Sequence, residues 1–464
     1  MTPFDFTVRR HGGADSQTFS AGEHFRFDVE RIEDYFSDHL PSPLIDLLRI
    51  AVAVYVADRT TRRRQRDQER QWSRQITLTV GVLEPMFWET DEIRDSLVDC
   101  LEFLTDDSWD ISFKQDDRRK HREIQKNLFP PCPDSRLCLY SAGLDSAAGL
   151  GTQLLRSPER PTIPVTVWHQ GGQKYNVEKQ IGLLRNQFNT ELTPLIFKTH
   201  LLWRSRERWK EEPTQRSRAF LFMSAGAAAA YLSGGSEVEV YESGVGAINL
   251  PLLSGMTGSR TTRSTHPEFL RRMSLLVSTV ASRDISFTLP FWENTKGQMV
   301  RNLADAGLHI LAKSTVSCVS YPLRDKKSKQ CGICPACIFR RQAMLSAGIG
   351  EDGNTYKYDI FAGSEQPRPL KDGRLAYLKA FLIQVAELEE VQSGRRLPER
   401  VLRHLMGTGI LRNGESSAPF IRLLSEYRRE WLEVTQQAEQ RGYSWTKLLA
   451  ASGNTPEGAS RASA

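Results

Sequence analysis

Between residues 134 and 348 the chain reads repeatedly as a short apolar run followed by a helical stretch, an alternation that few architectures accommodate. Apolar runs at 137–140, 163–168, 193–197 and 238–242 predict strands, and the segments 147–155, 177–188 and 219–231 predict helices between them. Strands separated by helices pair in parallel beneath helical layers, so the expected fold class is α/β with a parallel sheet.

The flanks have a different character. Residues 1–130 mix strand-like runs at 25–29, 76–80 and 109–113 with helical segments near 42–57 and 91–105, which predicts an N-terminal α+β accessory domain. In a C-terminal helical region at 350–450, apolar residues recur with helical spacing over 375–391, 398–406 and 418–441. The Ser, Gly and Ala-rich stretch 451–464 predicts a disordered tail. A chain of 464 residues exceeds what one core usually organises, so two or three domains are expected. A net charge of +6 is mild at this length and does not by itself demand nucleic acid. The first ten residues carry Asp5, Arg9 and Arg10 with no apolar core, and the most apolar stretches, 50–57 and 219–232, fall short of a membrane helix. A cytoplasmic protein with no membrane partner is therefore expected, and reduced cysteines there imply metal binding or catalysis rather than disulfides.

Two motifs carry chemistry. At the end of the first strand of the alternating region come Ser141, Ala142, Gly143, Leu144, Asp145 and Ser146, directly before a helix. Small residues let backbone N–H groups turn toward a ligand, the helix offers its positive end, and the two serine hydroxyls add donors, a combination suited to a pyrophosphate. The loop has no Walker glycine–lysine pattern, and the alternative is a strand–helix turn capped by Ser and Asp. Further on, Cys318 precedes Cys331, Cys334 and Cys337, whose spacing is Cys-x-x-Cys-x-x-Cys. Four thiolates close a tetrahedral Zn²⁺ site and leave no position for water, so the site would be structural; an iron–sulfur cluster or plain reduced cysteines are the alternatives. Lys326, Lys327, Lys329, Arg340 and Arg341 are placed to offset its negative charge. An arginine run from Arg59 to Arg66, continued by Arg70 and Arg74, reads as a solvated loop or as an anionic docking surface for protein or RNA.

The order of these landmarks resembles the 7-cyano-7-deazaguanine synthase (QueC) family of PP-loop ATP pyrophosphatases. It runs from the Ser-x-Gly-x-Asp-Ser loop through basic Arg216 and Arg218 opening an apolar helix, Gly244 and Gly246, and Pro267, Glu268 and Phe269 to the late cysteine tetrad. The resemblance spans 134–348 and implies a PP-loop core with a zinc-binding segment. It further implies ATP and Mg²⁺ as cofactors and the adenylation of a 7-deazaguanine carboxylate, with pyrophosphate leaving. Carried over by motif, residues 141–146 hold the phosphates, Asp145 and Ser146 act with Lys296 and Arg216 in catalysis, and Arg218 borders the nucleotide. Cys318, Cys331, Cys334 and Cys337 hold zinc. The sequence departs from the family pattern at Ala142, which replaces a loop glycine and is accommodated if its φ stays negative. It departs again at 262–269, where the family's Asp and Cys are missing, and at 244–249, which lacks an Asp. His266 in the altered segment reads as a surface or hydrogen-bonding residue. The long form resembles QueC-like proteins of bacterial anti-phage systems, Qat first and type IV CBASS second, which implies conjugating the deazaguanine to an amine of a partner protein from the same operon. Three alternatives stay open: a 7-cyano-7-deazaguanine synthase of deazapurine biosynthesis, a tRNA-modifying PP-loop enzyme, and a non-catalytic nucleotide sensor.

Overall fold

The computed structural model describes residues 4–10, 16–63, 73–119, 123–124, 134–169, 171–202, 212, 214–252, 263–321, 323, 330–358, 360–361, 372–392 and 396–440. The chain forms two compact units: residues 1–141, 157–241 and 262–290 make the first, and 142–156, 242–261 and 291–464 the second.

The first unit holds two sheets. β1 (Asp5–Arg10), β2 (Ser16–Ser20), β3 (Gln75–Val82) and β4 (Ser108–Gln115) form a sheet of order β2-β1-β3-β4. β1 runs antiparallel to both neighbours, and β3 pairs in parallel with β4. The five strands of the alternating region are β5 (Arg136–Leu139), β6 (Thr162–Trp168), β7 (Leu195–Lys198), β8 (Glu237–Val240) and β9 (Ser286–Thr288). They pair in parallel throughout, in the order β7-β6-β5-β8-β9. Every residue of β5 is buried, as expected of a central parallel strand. Helices Gln173–Phe188 and Arg218–Ser233 connect β6 to β7 and β7 to β8, as the alternation predicts. Gly226 lets the second of these lie close on the sheet, because a Cβ there would sit 3.0 Å from Leu139 and 3.2 Å from Val238. One hydrophobic core runs through both sheets, joining Phe4, Phe6 and Phe19 to Leu139, Val165 and Phe197.

The run 25–29 is not a strand. Phe25, Phe27 and Val29 are buried with the expected alternation, yet Phe25 makes only isolated bridges to Ala21 and Leu201. Of the described arginines of the run, Arg62 is exposed and Arg59 half-buried, while two others are structural. Arg63 and Arg74 are buried: Arg63 binds Asp107 at 2.7 Å, and Arg74 bridges Asp58 and Asp107 at 2.5 Å each. Arg64, Arg66 and Arg70 lie outside the described residues, as do 451–464.

The second unit is helical. Helix Leu144–Arg156 packs on Lys296–Asp305 so closely that a Cβ on Gly151 would approach Leu303 Cδ2 to 2.7 Å. Helices Asp372–Glu387, Glu399–Gly407 and Ala418–Gln440, near the ranges their periodicity predicts, build a core of Phe381, Leu388, Leu424, Tyr427 and Trp431. That core takes in Ile338 of helix Pro335–Ser346 and Val245 and Ile248 of the short helix Gly244–Ile248. No helix among the described residues is long and apolar enough to cross a membrane.

Candidate active site and metal centre

Three charged side chains of the second unit converge. Asp145 occupies the first turn of Leu144–Arg156, Glu242 follows β8 after one residue, and Lys296 opens the helix Lys296–Asp305. Lys296 Nζ lies 2.5 Å from Asp145 Oδ2, 3.6 Å from Glu242 Oε1 and 4.6 Å from the centre of the Phe339 ring. Thr295 fixes the start of that helix through a capping box: its hydroxyl accepts from Gln298 N at 3.0 Å and its N–H donates to Gln298 Oε1 at 2.9 Å.

Two carboxylates share one ammonium here, and the imbalance shows in their protonation. Burial and then the charge of Asp145 raise the Glu242 carboxyl well above the usual carboxylate range, against the pull of Lys296. Burial opposes charge on Lys296, but Asp145 and Glu242 outweigh it and raise the ammonium above its ordinary value. The site is not sealed, since 10% of the Lys296 side chain, 16% of Asp145 and 19% of Glu242 stay exposed. Asp145 Oδ1 is buried with no hydrogen-bond partner among the described residues. A hard cation such as Mg²⁺ takes carboxylate oxygens of this kind, so the donor set fits one.

The loop before Asp145 departs from expectation at Ala142, whose φ is +61° rather than negative. The turn between β5 and the helix needs a left-handed residue there, and alanine meets that need at about 1–2 kcal/mol. Leu144 N donates to Ser317 Oγ at 3.4 Å, Val316 N to Ala142 O at 3.3 Å, and Ser146 Oγ to Gly143 O at 3.0 Å. The loop is thus tied to the segment leading into Cys318.

The four cysteine Sγ atoms all lie within 4.8 Å of one another, and those of Cys331 and Cys337 are 3.8 Å apart. A tetrahedron with Zn–S bonds of about 2.3 Å has sulfur–sulfur edges of about 3.8 Å, so the tetrad could hold a metal such as zinc. Gly332, with φ of +81°, makes the turn, because a Cβ there would meet Tyr358 O at 1.9 Å. Arg340 and Arg341, expected to offset the charge of the four thiolates, have a carboxylate as their direct partner. Both pair with Glu351, and Arg340 also donates to Tyr356 Oη at 2.5 Å and to Ala312 O at 3.2 Å. Lys326, Lys327 and Lys329 lie outside the described residues.

The remaining candidates belong to the first unit. Arg216 is buried, with Nη1 3.4 Å from Thr105 O, and burial followed by Arg63 lowers its guanidinium to about 10. Arg218 is exposed at the start of Arg218–Ser233. His266 is buried, not on the surface. It caps helix Pro267–Ala281 by accepting from Glu268 N at 3.2 Å, and it packs edge-on against Phe103. Sequence reasoning missed Glu242 and Phe339. A glutamate just beyond a parallel strand's carboxyl end marks where open α/β sheets place ligands, so Glu242 had a signal; Phe339 had none.

Residues 262–348 match the family model described as queuosine biosynthesis protein QueC. The matched stretch includes Lys296, Phe339 and all four cysteines, while Asp145, Glu242 and the C-terminal helices lie outside it. No curated protein matches the chain.

Proposed function

We propose that this protein is a QueC-like, ATP-dependent carboxylate-adenylating enzyme acting on a 7-deazaguanine carboxylate. The substrate carboxylate oxygen attacks the α-phosphorus, the bond to the β-phosphate oxygen breaks, and pyrophosphate leaves. An amine nitrogen then attacks the activated carbonyl, loses a proton and expels AMP. Residues 141–146 would hold the phosphates, Asp145 would take Mg²⁺, and Lys296 would meet the charge that grows on the departing pyrophosphate. The role in anti-phage defence, with a protein amine as acceptor, belongs to the same proposal and rests on the long form's resemblance alone.

The observation that carries the reading is the contact of Lys296 with Asp145. A lysine inside the QueC-matched stretch reaches an acidic residue of the Ser-x-Gly-x-Asp-Ser loop that lies 151 positions away. The test is pyrophosphate release from ATP in the presence of 7-carboxy-7-deazaguanine. Release in the native chain and its loss in Asp145→Asn is the expected outcome, and no release with any deazaguanine carboxylate sinks the proposal. The intact mass of a co-expressed operon partner tests the acceptor, since conjugation adds the deazaguanine acyl mass only when Asp145 is present.

A further inference from the structure

We propose that Glu430, carried by the C-terminal helix Ala418–Gln440, is a positioning residue that holds Lys296 toward Asp145. Glu430 is fully buried, and among the described residues it forms no ion pair. Its oxygens serve the start of the Lys296 helix instead. The Thr295 hydroxyl donates its hydrogen to Glu430 Oε1 at 2.5 Å, while the same oxygen of Thr295 accepts from Gln298 N. Glu430 Oε2 receives Gln342 Nε2 at 3.4 Å. Gly297 completes the seat, because a Cβ at that position would lie 2.3–2.5 Å from the carboxyl atoms of Glu430. Lys296 therefore stands between Thr295, which the buried carboxyl binds, and Gly297, against which that carboxyl packs, and its side chain leaves from a backbone the C-terminal helix has set.

A carboxyl with no cation is a costly filler for a core, and an apolar side chain would pack at less expense. What Glu430 supplies is an acceptor at one point, the Thr295 hydroxyl. The inference rests on the reading of Lys296 as the charge that meets the leaving group. It adds that residues beyond the QueC-matched stretch complete the site from the far side of that helix.

Lysine labelling by acetic anhydride, read by mass spectrometry on the full chain, tests the positioning without any enzymatic turnover. In the native protein Lys296 should be protected relative to exposed lysines. Glu430→Ala should raise its labelling toward that of the exposed lysines, because the ammonium is no longer held against Asp145. Glu430→Gln should restore most of the protection, because the amide oxygen still accepts from Thr295 and the amide nitrogen can donate to Gln342 Oε1, which is buried and has no partner among the described residues. If the alanine variant does not fold, Thr295→Val and Thr295→Ser repeat the comparison from the donor side. Unchanged Lys296 labelling in a folded Glu430→Ala or Thr295→Val chain overturns the proposal. Altered labelling in a chain that never releases pyrophosphate would leave the positioning standing and remove the adenylation reading instead. With an active enzyme, loss in the alanine variant should fall on kcat rather than KM, and an equal loss in the glutamine variant would count against positioning.

Discussion

In the first unit Asp58 and Asp107 meet Arg63 and Arg74 at 2.5–2.7 Å, with each of the four side chains at most 3% exposed. In the second unit Lys296 faces both Asp145 and Glu242, and all three side chains stay 10–19% exposed. The chemical groups are similar, but their balance and their access to solvent differ. The first cluster satisfies its carboxylates with buried arginines, Arg74 gripping Asp107 through two nitrogens, and closes over them, which is how buried charge is tolerated as structure. The second sets two carboxyls against one ammonium, one of them held against ionisation, and leaves a route for a ligand, which is how titratable groups are kept available for binding.

The sharpest way to break this contrast is to remove one partner from each cluster. Asp107→Ala removes the carboxylate that Arg63 and Arg74 share, leaving Arg74 with Asp58 and Arg63 with Glu212, and should cost about 3–5 kcal/mol of stability, read by urea unfolding. Asp145→Asn leaves Glu242 facing Lys296 and should cost less stability than Asp107→Ala, yet lower pyrophosphate release by about 10²–10³-fold. The reverse pattern, with Asp107 dispensable and Asp145 structural, would show that the roles have been assigned the wrong way round.

Smaller is the effect of pH. Burial pushes the Glu430 carboxyl up to about 7 from an ordinary 4.5, with Glu426 adding to the rise and Arg301 opposing it. The folded chain then keeps a proton that the unfolded chain gives up between those values. The contribution is therefore complete below about pH 4.5 and is lost as pH rises through 7, a loss of at most about 3 kcal/mol. Thermal unfolding at pH 5 and pH 8 should show the decline, and Glu430→Gln should flatten it. Glu242 shifts in the same direction, so some slope should survive the substitution. A slope identical in the native and Glu430→Gln chains would mean that Glu430 stays ionised. Smallest is Ala142→Gly, which relieves the left-handed alanine and should raise stability by no more than about 1 kcal/mol, net of the backbone freedom glycine adds to the unfolded chain. A clear loss of stability on that change would show that the methyl group contributes to packing.

Much of the fold was legible because its signals are local. The buried strands β5 and β6, the helices between the strands and the amphipathic C-terminal helices all announce themselves through periodicity. β1 and β2 did not, since such short strands depend on partners elsewhere in the chain; β1 pairs with β3 across more than sixty residues. The run 25–29 failed for the converse reason, an alternating pattern with no strand beside it to complete a ladder. Arg63 and Arg74 looked like surface charge because nothing in the adjacent sequence announces Asp107 as their partner.

The sequence by itself determined the parallel α/β pattern, the Ser141–Ser146 turn and the spacing of four cysteines, because each depends on residues close together in the chain. Only the tertiary structure decided that Lys296 meets Asp145 and Glu242, that Ala142 is left-handed, and that Glu430 seats the Lys296 helix from 135 positions away. Contacts of that kind are made by packing, and packing depends on which surfaces the whole chain buries rather than on any local pattern.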